Sequence, residues 1–332
     1  MSELFKRIRK NSIITTASVL KNSKYFDSEK LVKTRIPLFN LALSGKLDGG
    51  MPGGIIQIAA PPKHFKTKFL HELMYAFQEE NKKEDYFIVL YDSELGSTLE
   101  YYEKAGIDTE KIDHRPIKSV EELKSDIANL LNDITDKDKI FICIDSIGML
   151  RSNKETKDAI TENEAADMTR AKALNSLFRI ITAEAAITQI PIAIVNHSYQ
   201  TQELYSKEVA SGGRKTQYAA HTLLFITKAQ EKEDKDLKGF TFTLRAGLSR
   251  YVKENATFPI LALFGEGIYR YSGIFDLGLE LGFIKSEKQG WYLIPGDEKQ
   301  KRRSDIEEDE VFLESLLANK DFCDKVEFKY SL

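Results

Sequence analysis

The chain has 332 residues, of which 42% are hydrophobic and 30% charged, and its formal net charge is −3 at pH 7. This composition is typical of a soluble globular protein, and the sequence contains no apolar run of the ~20 residues that span a bilayer. Because the net charge is small, any contact with nucleic acid has to come from a local basic surface.

Neither the cysteines nor the first residues indicate export. Cys143 and Cys323 form no disulfide framework and no metal-binding spacing. Residues 6–10 are basic, but residues 11–20 are interrupted by Asn, Ser and Thr and lack a convincing cleavage site, which argues against a signal peptide. We therefore expect a cytoplasmic protein without a membrane partner.

The elements in chain order predict an α/β fold with a mostly parallel central sheet. Residues 1–34 alternate short helical patterns with basic residues and form an N-terminal appendage. Predicted strands then alternate with predicted helices, which is typical of parallel βαβ units. The strands cover residues 55–60, 86–92, 140–145, 191–196 and 222–228, and the crossover helices cover 68–78, 120–134 and 165–184. Segments near 239–247 and 257–264 are expected to extend the sheet antiparallel at one edge.

The pattern changes after residue 272. A short helix and two Gly-bounded apolar segments predict a small C-terminal α+β module. The charge run at residues 297–310 is interpreted as a solvated linker, followed by one short final helix. The predicted domains are residues 1–34, 35–272 and 273–332.

Residues 54–67 have the layout of a phosphate-binding loop, because an apolar strand and a tight turn precede Lys66-Thr67 at the start of a helix. In such loops backbone N–H groups surround an anion, the Lys reaches the β/γ-phosphates and the hydroxyl binds Mg²⁺. Ala60 and Phe65 stand where the pattern expects Gly. A bulky residue adopts positive φ at a cost of ~1–2 kcal/mol, so we expect a strained loop or a different path. The predicted nucleotide-binding residues of this segment are Ala60, Pro61, Pro62, Lys63, His64, Phe65, Lys66, Thr67 and Lys68.

A second apolar strand, residues 139–145, ends in Asp145. Alone, Asp145 fits a helix cap as well as a ligand site. In nucleotide-binding α/β folds, however, ligands meet the carboxyl ends of such strands, where Asp145 joins the Mg²⁺ shell with Thr67. We predict Thr67 and Asp145 as the metal-binding pair.

Several segments of the chain resemble RecA-type recombinases, and most closely the UvsX-type recombinases of tailed phages. The resemblance runs from about residue 30 to 294 and is carried by residues 36–45, 63–67, 91–94, 167–172, 176–180, 196–197 and 273–291. The Phe65-Lys66 pair also resembles the phage branch, whereas Ala60 departs from it.

The resemblance implies roles at the nucleotide site. Glu94 matches the catalytic glutamate, which orients water for attack on the γ-phosphate, although it also fits a cap for residues 97–105. Tyr101 matches the aromatic that stacks on adenine, with Tyr102 as the alternative. His197, after Asn196, matches the sensor of the γ-phosphate. With Lys66 and Arg250, these residues complete the implied catalytic set.

The resemblance also implies two DNA-binding loops. The second loop lies within the polar residues 198–218, and the first covers residues 151–166 and precedes a basic helix. Long loops inside compact folds tend to be functional, and glycines beside basic residues suit close approach to phosphates. The predicted DNA-binding residues are Arg170, Lys172, Lys207, Gly212, Gly213, Arg214 and Lys215.

One departure concerns catalysis in trans. RecA-like filaments complete each ATP site with two basic residues from the neighbouring subunit, on the segment that matches residues 244–250. Arg250 is present, but Leu248 replaces the other. Because such cations stabilise the transferring phosphoryl group, we expect slower hydrolysis, or Arg245 as a substitute.

These observations favour a DNA-dependent ATPase that uses ATP and Mg²⁺, forms helical filaments on single-stranded DNA and pairs it with homologous duplex DNA. Residues 1–34 would join neighbouring subunits, and single-strand-binding and mediator proteins are further expected partners. Two alternatives stay open: a non-catalytic, ATP-gated RecA-like paralogue that supports another recombinase, and a ring-forming helicase of the same fold.

Overall fold

A computed structural model describes residues 3–14, 17–23, 30–135, 137–161, 168–201, 207–233 and 236–332, with the side chains of residues 214 and 233 excepted. The chain divides into two compact units, Met1–Lys30 and Leu31–Leu332. The first unit contains the basic helix α1 (Glu3–Lys10). All other helices and strands named below belong to the second.

The helices of the second unit are α2 (Pro37–Ser44), α3 (Lys66–Asn81), α4 (Leu99–Lys104), α5 (Val120–Asp133), α6 (Asn153–Ile160), α7 (Thr169–Thr188), α8 (Arg214–Tyr218), α9 (Ile274–Glu280), α10 (Arg303–Glu307), α11 (Glu310–Leu317) and α12 (Lys320–Tyr330). The strands are β1 (Gly54–Ala60), β2 (Tyr86–Asp92), β3 (Ile112–Pro116), β4 (Lys139–Asp145), β5 (Pro191–Gln200), β6 (Glu208–Ala210), β7 (Thr222–Glu233), β8 (Asp236–Ser249), β9 (Thr257–Leu263), β10 (Gly267–Ile268), β11 (Lys285–Lys288) and β12 (Trp291–Leu293).

The central sheet has the strand order β10-β9-β8-β7-β1-β5-β4-β2-β3, with β6 added to β5. Strands β1 to β5 pair in parallel, and β7 is parallel to β1. Strands β8, β9 and β10 extend this sheet antiparallel at one edge. The predicted α/β class, the parallel core and the antiparallel edge are therefore confirmed.

The apolar strands divide the core into two layers, because successive side chains point to opposite faces of a sheet. Ile56 and Ile58 of β1 belong to the layer formed with α2 and α3. Ile55 and Ala59 belong to the layer formed with α5 and α7. With both faces covered, β1 is buried along its whole length, as expected for a central parallel strand.

The helices follow the predicted three-to-four spacing, with shifted ends. In α5 the buried residues are Val120, Leu123, Ile127 and Leu131, and the Ser119 hydroxyl accepts a hydrogen bond from the Glu122 N–H as the N-terminal cap. Helix α3 begins at Lys66 instead of residue 68. Helix α7 was predicted at residues 165–184 and covers Thr169–Thr188; residues 165–167 lie outside the described chain.

The sequence did not predict β3, an edge strand beside β2. Ile112 and Arg115 are partly buried, whereas Asp113, His114 and Pro116 are exposed. An edge strand with one solvated face carries no apolar run, so the pattern that identifies buried strands does not apply to it.

The prediction of a solvated linker at residues 297–310 is wrong. This segment contains α10, in which Ile306 is fully buried beside Phe275, Ile284 and Ile294. Arg303 pairs with Asp276 and lies over the Phe275 ring. The charges therefore attach the segment to the module instead of solvating it. Two helices, α11 and α12, follow instead of one.

Within the C-terminal region, β11 and β12 form an antiparallel hairpin. Trp291 in β12 is the only tryptophan of the sequence, and the Arg302 guanidinium lies 4.0 Å from the centroid of its ring. This stacking connects the hairpin to the start of α10. The domain boundaries after residues 34 and 272 stay predictions.

Candidate nucleotide site and DNA-binding loops

The carboxyl ends of four neighbouring strands meet at one edge of the sheet. Strands β1, β5, β4 and β2 are consecutive, and the register aligns Ala60 with His197 and Asp92 with Asp145. A cavity of about 570 Å³ opens there, lined by the loop after β1 and by polar residues that follow the other strands. Distant parts of the sequence thus converge on one site.

Phe65 occupies the left-handed backbone region, with φ of 60°, where the loop pattern expects Gly. Its ring stacks on that of Phe242 in β8, with centroids 4.3 Å apart and planes inclined by 22°. An aromatic pair contributes about 0.5–1.5 kcal/mol beyond area burial, which offsets much of the backbone cost. The first of the two expectations, a strained loop, is confirmed.

Lys66 is held inside this loop. Its ammonium donates to the carbonyl oxygens of Ala60 at 3.1 Å and Pro61 at 3.0 Å. Burial lowers the pKa of Lys66, while the charges of Glu94 and Asp145 act in the opposite direction. These two carbonyl oxygens position the Lys66 ammonium within the loop. A phosphate oxygen of a bound nucleotide can replace them as its hydrogen-bond acceptor.

Thr67, at the start of α3, and Asp145, at the end of β4, are in contact. The Thr67 hydroxyl donates to Asp145 Oδ2 at 2.8 Å, and Oδ1 is buried without a hydrogen-bond partner among the described residues. Burial raises the pKa of Asp145 to about 6, assisted by the neighbouring charges of Glu94 and Asp92 and opposed by the Thr67 hydrogen bond. A buried carboxylate with a free oxygen beside a hydroxyl fits a Mg²⁺ ion that takes its other ligands from phosphate and water.

Glu94 faces the cavity and is anchored by its neighbours. Its Oε1 accepts a hydrogen bond from the Ser146 hydroxyl at 2.6 Å and lies 3.3 Å from His197 Nε2. The contact with His197, followed by the Ser146 hydrogen bond, lowers the pKa of Glu94 to about 2 against the effect of burial. Glu94 does not cap α4, whose N-terminal cap position is Thr98. An ionised carboxylate of this kind orients water more readily than it removes a proton.

The two adjacent tyrosines have different environments. Tyr101 is 55% exposed and lines the cavity, with Lys68 Nζ 5.5 Å from its ring centroid. The Tyr102 ring instead packs on His71, with centroids 4.5 Å apart. Of the two candidates for a base-stacking residue, Tyr101 is the one at the cavity.

The backbone of His197 is tied to the second predicted DNA-binding loop. The Ser211 N–H donates to the His197 carbonyl at 2.8 Å, and the Asn196 side-chain amide donates to the Ser211 carbonyl at 2.9 Å. Strand β6, just before Ser211, pairs with the end of β5. His197 and Asn196 are therefore each joined to Ser211, at the base of this loop, by one hydrogen bond.

The predicted DNA-binding residues lie on α7, α8 and the segment between β5 and α8. Gly212 and Gly213 have φ of 95° and 86°, and α8 begins at the next residue. Lys207 and Lys215 are exposed; the side chain of Arg214 and residues 202–206 lie outside the described structure. Lys172 and Lys215 line a groove of about 660 Å³ together with Arg179, which the sequence did not single out.

Arg170 is engaged within the chain. Its guanidinium donates to the carbonyls of Leu150 at 2.6 Å, Gly148 at 3.0 Å and Ile147 at 3.2 Å. The side chain thus supports the segment that leads into the first predicted loop. Contact between Arg170 and DNA stays a prediction.

The residues expected to act in trans lie at the end of β8. Arg250 is exposed, and Leu248 packs partly against the core layer of α5 and α7. Arg245 pairs with Glu208 at 3.0 Å and lies over the Phe225 ring. As a substitute for the missing cation, Arg245 would first have to leave this pair.

Comparison with known proteins agrees with this geometry. Residues 271–326 match the family model for the C-terminal domain of the recombination and repair protein of bacteriophage T4. Over 292 residues the chain is 42% identical to that recombination and repair protein of Enterobacteria phage T4, covering 88% of this chain and 74% of the phage protein. The chain belongs to the UvsX-type family of RecA-like recombinases.

More distant similarity extends to bacterial RecA proteins. The chain is 23% identical over 270 residues to the RecA protein of Arthrobacter sp. (strain FB24), covering 79% of this chain and 74% of that protein. For RecA of Streptomyces ambofaciens the identity is 25% over 272 residues, with 79% and 69% covered. The RecA-type, UvsX-like resemblance of the sequence is thereby confirmed.

Three polar residues at the cavity received no role in the sequence analysis. Ser146 holds Glu94, Asp92 accepts hydrogen bonds from the N–H groups of Glu94 and Leu95, and His71 lies in the cavity wall. Asp92 and Ser146 lie at or just after the ends of apolar strands, a position that could have identified them. For His71 no such signal exists. Among the described residues, no helix combines the length and apolarity needed to cross a membrane.

Proposed function

We propose that this chain is a DNA-dependent ATPase that forms helical filaments on single-stranded DNA and promotes homologous pairing and strand exchange in the host cytoplasm. The observation that carries the proposal is the position of His197. Its side chain contacts Glu94 at the cavity, and its backbone holds Ser211 at the base of the second loop. One residue thus links a candidate ATP site to a candidate DNA site.

The residues of the cavity have separate tasks in this proposal. Lys66 binds the β/γ-phosphates, and Thr67 and Asp145 hold Mg²⁺, which supplies charge neutralisation on the phosphates when bound. Glu94 orients the attacking water, and Ser146 holds the carboxylate in place. Tyr101 covers the base. Arg250 of a neighbouring subunit contributes positive charge at the γ-phosphate, which makes assembly part of the catalytic site.

Coupling between the two ligands follows from linkage. When the γ-phosphate replaces Glu94 as a partner of His197, the strand end that carries Ser211 shifts or stiffens, which favours the DNA-bound form of the loop. By reciprocity, DNA raises the affinity for nucleotide. Residues 1–34 pack against the adjacent subunit, and single-strand-binding and mediator proteins act on the resulting filament.

The decisive experiment measures steady-state ATP hydrolysis with and without single-stranded DNA, for the wild-type chain and Lys66→Ala. We expect stimulation by DNA that the variant loses. Electron microscopy with ATP and DNA then distinguishes an open helical filament from the closed hexamer of a ring helicase. Absence of DNA stimulation in the wild type would contradict the coupled mechanism.

A second candidate is a non-catalytic, ATP-gated paralogue that supports another recombinase, and Leu248 is the observation in its favour. Leu248 stands where the second trans cation is expected, and Arg245 is occupied by Glu208. Tight, ATP-dependent DNA binding without hydrolysis would select this candidate.

A further inference from the structure

His71 is a buried polar side chain in the wall of the nucleotide cavity. It lies in α3 and is 1% exposed, and neither Nδ1 nor Nε2 has a hydrogen-bond partner within the described parts of the chain. The residue lines the same cavity as Lys66 and Tyr101. Buried polar atoms without partners are rare and unfavourable, so two of them at a cavity wall indicate that a ligand supplies the partners.

The position of His71 along α3 indicates which part of a bound nucleotide this side chain can contact. Thr67 and His71 are four residues apart, so they share one face of the helix, with His71 about 6 Å farther from the helix N-terminus. Thr67 faces Asp145, where the metal and phosphates are expected. His71 therefore lies about one turn beyond the phosphate-binding residues, against Tyr102 and in the same cavity as its neighbour Tyr101, the expected base-stacking residue.

The chemistry of the imidazole ring also fits contact with the nucleoside part of the nucleotide. Burial, followed by the charge of Lys68, lowers the pKa of His71 to about 4, so the imidazole is neutral near pH 7. A neutral imidazole has one donor and one acceptor, which suits the hydroxyls of a ribose or the edge of a base better than a polyanion. Contact with the Tyr102 ring, whose plane is inclined by 44°, fixes the imidazole orientation.

We propose that His71 recognises the nucleoside part of the bound nucleotide by hydrogen bonding through its ring nitrogens. The inference rests on the proposed ATP site and adds to it a residue that favours a nucleoside triphosphate over bare polyphosphate. Lys66, Thr67 and Lys68 bind the phosphates of both ligands, whereas His71 acts on one of them only.

The test compares the dissociation constants of ATP and inorganic tripolyphosphate, each with Mg²⁺, for the wild type, His71→Phe and Lys66→Ala. Phe keeps a flat ring against Tyr102 and removes both nitrogens. We expect His71→Phe to raise the Kd for ATP roughly 3- to 10-fold, the net effect of one hydrogen bond, and to leave the Kd for tripolyphosphate within about twofold. Lys66→Ala should weaken the binding of both ligands.

His71→Gln, which restores a donor and an acceptor, should lie closer to the wild type than His71→Phe in its Kd for ATP. Circular dichroism tests whether both variants are folded. If His71→Phe is misfolded, the Kd values of His71→Gln decide the question. Equal changes for both ligands in His71→Phe, or no change for either, would overturn the role of His71. Failure of the ATP site itself looks different: the wild type binds neither ligand and Lys66→Ala behaves identically.

Discussion

The phenyl rings of Phe65 and Phe242 stack with centroids 4.3 Å apart, and Phe65 does so from a backbone with φ of 60°. The two residues are far apart in sequence, one in the phosphate-binding loop and the other in β8. A side chain in the left-handed region is unfavourable by ~1–2 kcal/mol, and the ring contact is the compensation available to this loop. The pair therefore explains how a bulky residue takes the place of Gly.

This explanation predicts an unusual order of stabilities. Phe65→Ala loses the ring and keeps the backbone cost, whereas Phe65→Gly loses both, so Phe65→Ala should be less stable than Phe65→Gly by about 1 kcal/mol. Urea unfolding measures the difference. The control variants are Phe87→Ala and Phe87→Gly in β2. There Phe87→Gly should be the less stable variant, because Gly weakens a strand relative to Ala. The same order at both positions would contradict the strained conformation of Phe65.

Replacement of Asp145 by Asn should separate stability from function. Burial raises the pKa of Asp145 from 3.8 to about 6, so the native state holds this proton more tightly than the unfolded state. The associated stability is present below about pH 4 and is lost as the pH rises through 6. Without nucleotide, Asp145→Asn should be more stable than the wild type at pH 7 by up to about 3 kcal/mol, from 1.36 kcal/mol per pKa unit.

The same variant should lose Mg²⁺-dependent ATP binding, measured by titration with and without EDTA. Asp126→Asn is the matched control. Against the opposing effect of burial, hydrogen bonds from Tyr91 and Arg115 lower the pKa of Asp126. Its replacement should therefore destabilise the chain at pH 7 and leave ATP binding unchanged. If Asp126→Asn were more stable than the wild type at pH 7, the assigned direction of the Asp126 pKa shift would be contradicted.

Glu94→Gln should remove hydrolysis while retaining the nucleotide. Gln keeps the shape and the Ser146 contact but cannot orient water as an anion, so we expect the DNA-stimulated rate to fall about 10²- to 10⁴-fold with little change in the Kd for ATP. Ser146→Ala leaves the carboxylate unanchored and should give a smaller loss. The pKa of about 2 belongs to the nucleotide-free chain, in which His197 contacts Glu94, so kcat/KM for ATP, which reports the free enzyme, should not fall between pH 8 and 5 through protonation of Glu94. A kcat/KM that falls with an apparent pKa near 5 in the wild type but not in Glu94→Gln would contradict this environment.

Gly213→Ala tests the second loop against a glycine of similar geometry. Gly213 has φ of 86° and Gly282 has φ of 80°, and an added Cβ would meet no atom within 4 Å at either position. Both alanine variants should therefore lose about 1 kcal/mol of stability through backbone strain alone. Only Gly213→Ala should weaken binding to single-stranded DNA in fluorescence polarisation. Equal DNA affinities for the two variants would remove Gly213 from the binding surface.

The sequence predicted those parts of the fold and site that depend on local patterns. Five of the six described parallel strands, β1, β2, β4, β5 and β7, contain continuous apolar runs, and the pairing of Thr67 with Asp145 follows from two such runs ending at one edge of a sheet. Phe242 could not be predicted as the partner of Phe65, since only the folded sheet brings β8 beside the loop. The burial of Ile306 was concealed by the surrounding charges, and the role of Arg170 became visible only through the carbonyls that it contacts.

Trp291 gives the C-terminal region an optical signal of its own. Since it is the only tryptophan and stacks with Arg302, its fluorescence reports the β11–β12 hairpin and the start of α10, whereas far-UV circular dichroism averages over all helices and strands. Coincident melting curves from the two signals would mean that the region unfolds together with the rest of the chain. A separate fluorescence transition would show that it melts on its own and would measure its stability inside the intact protein.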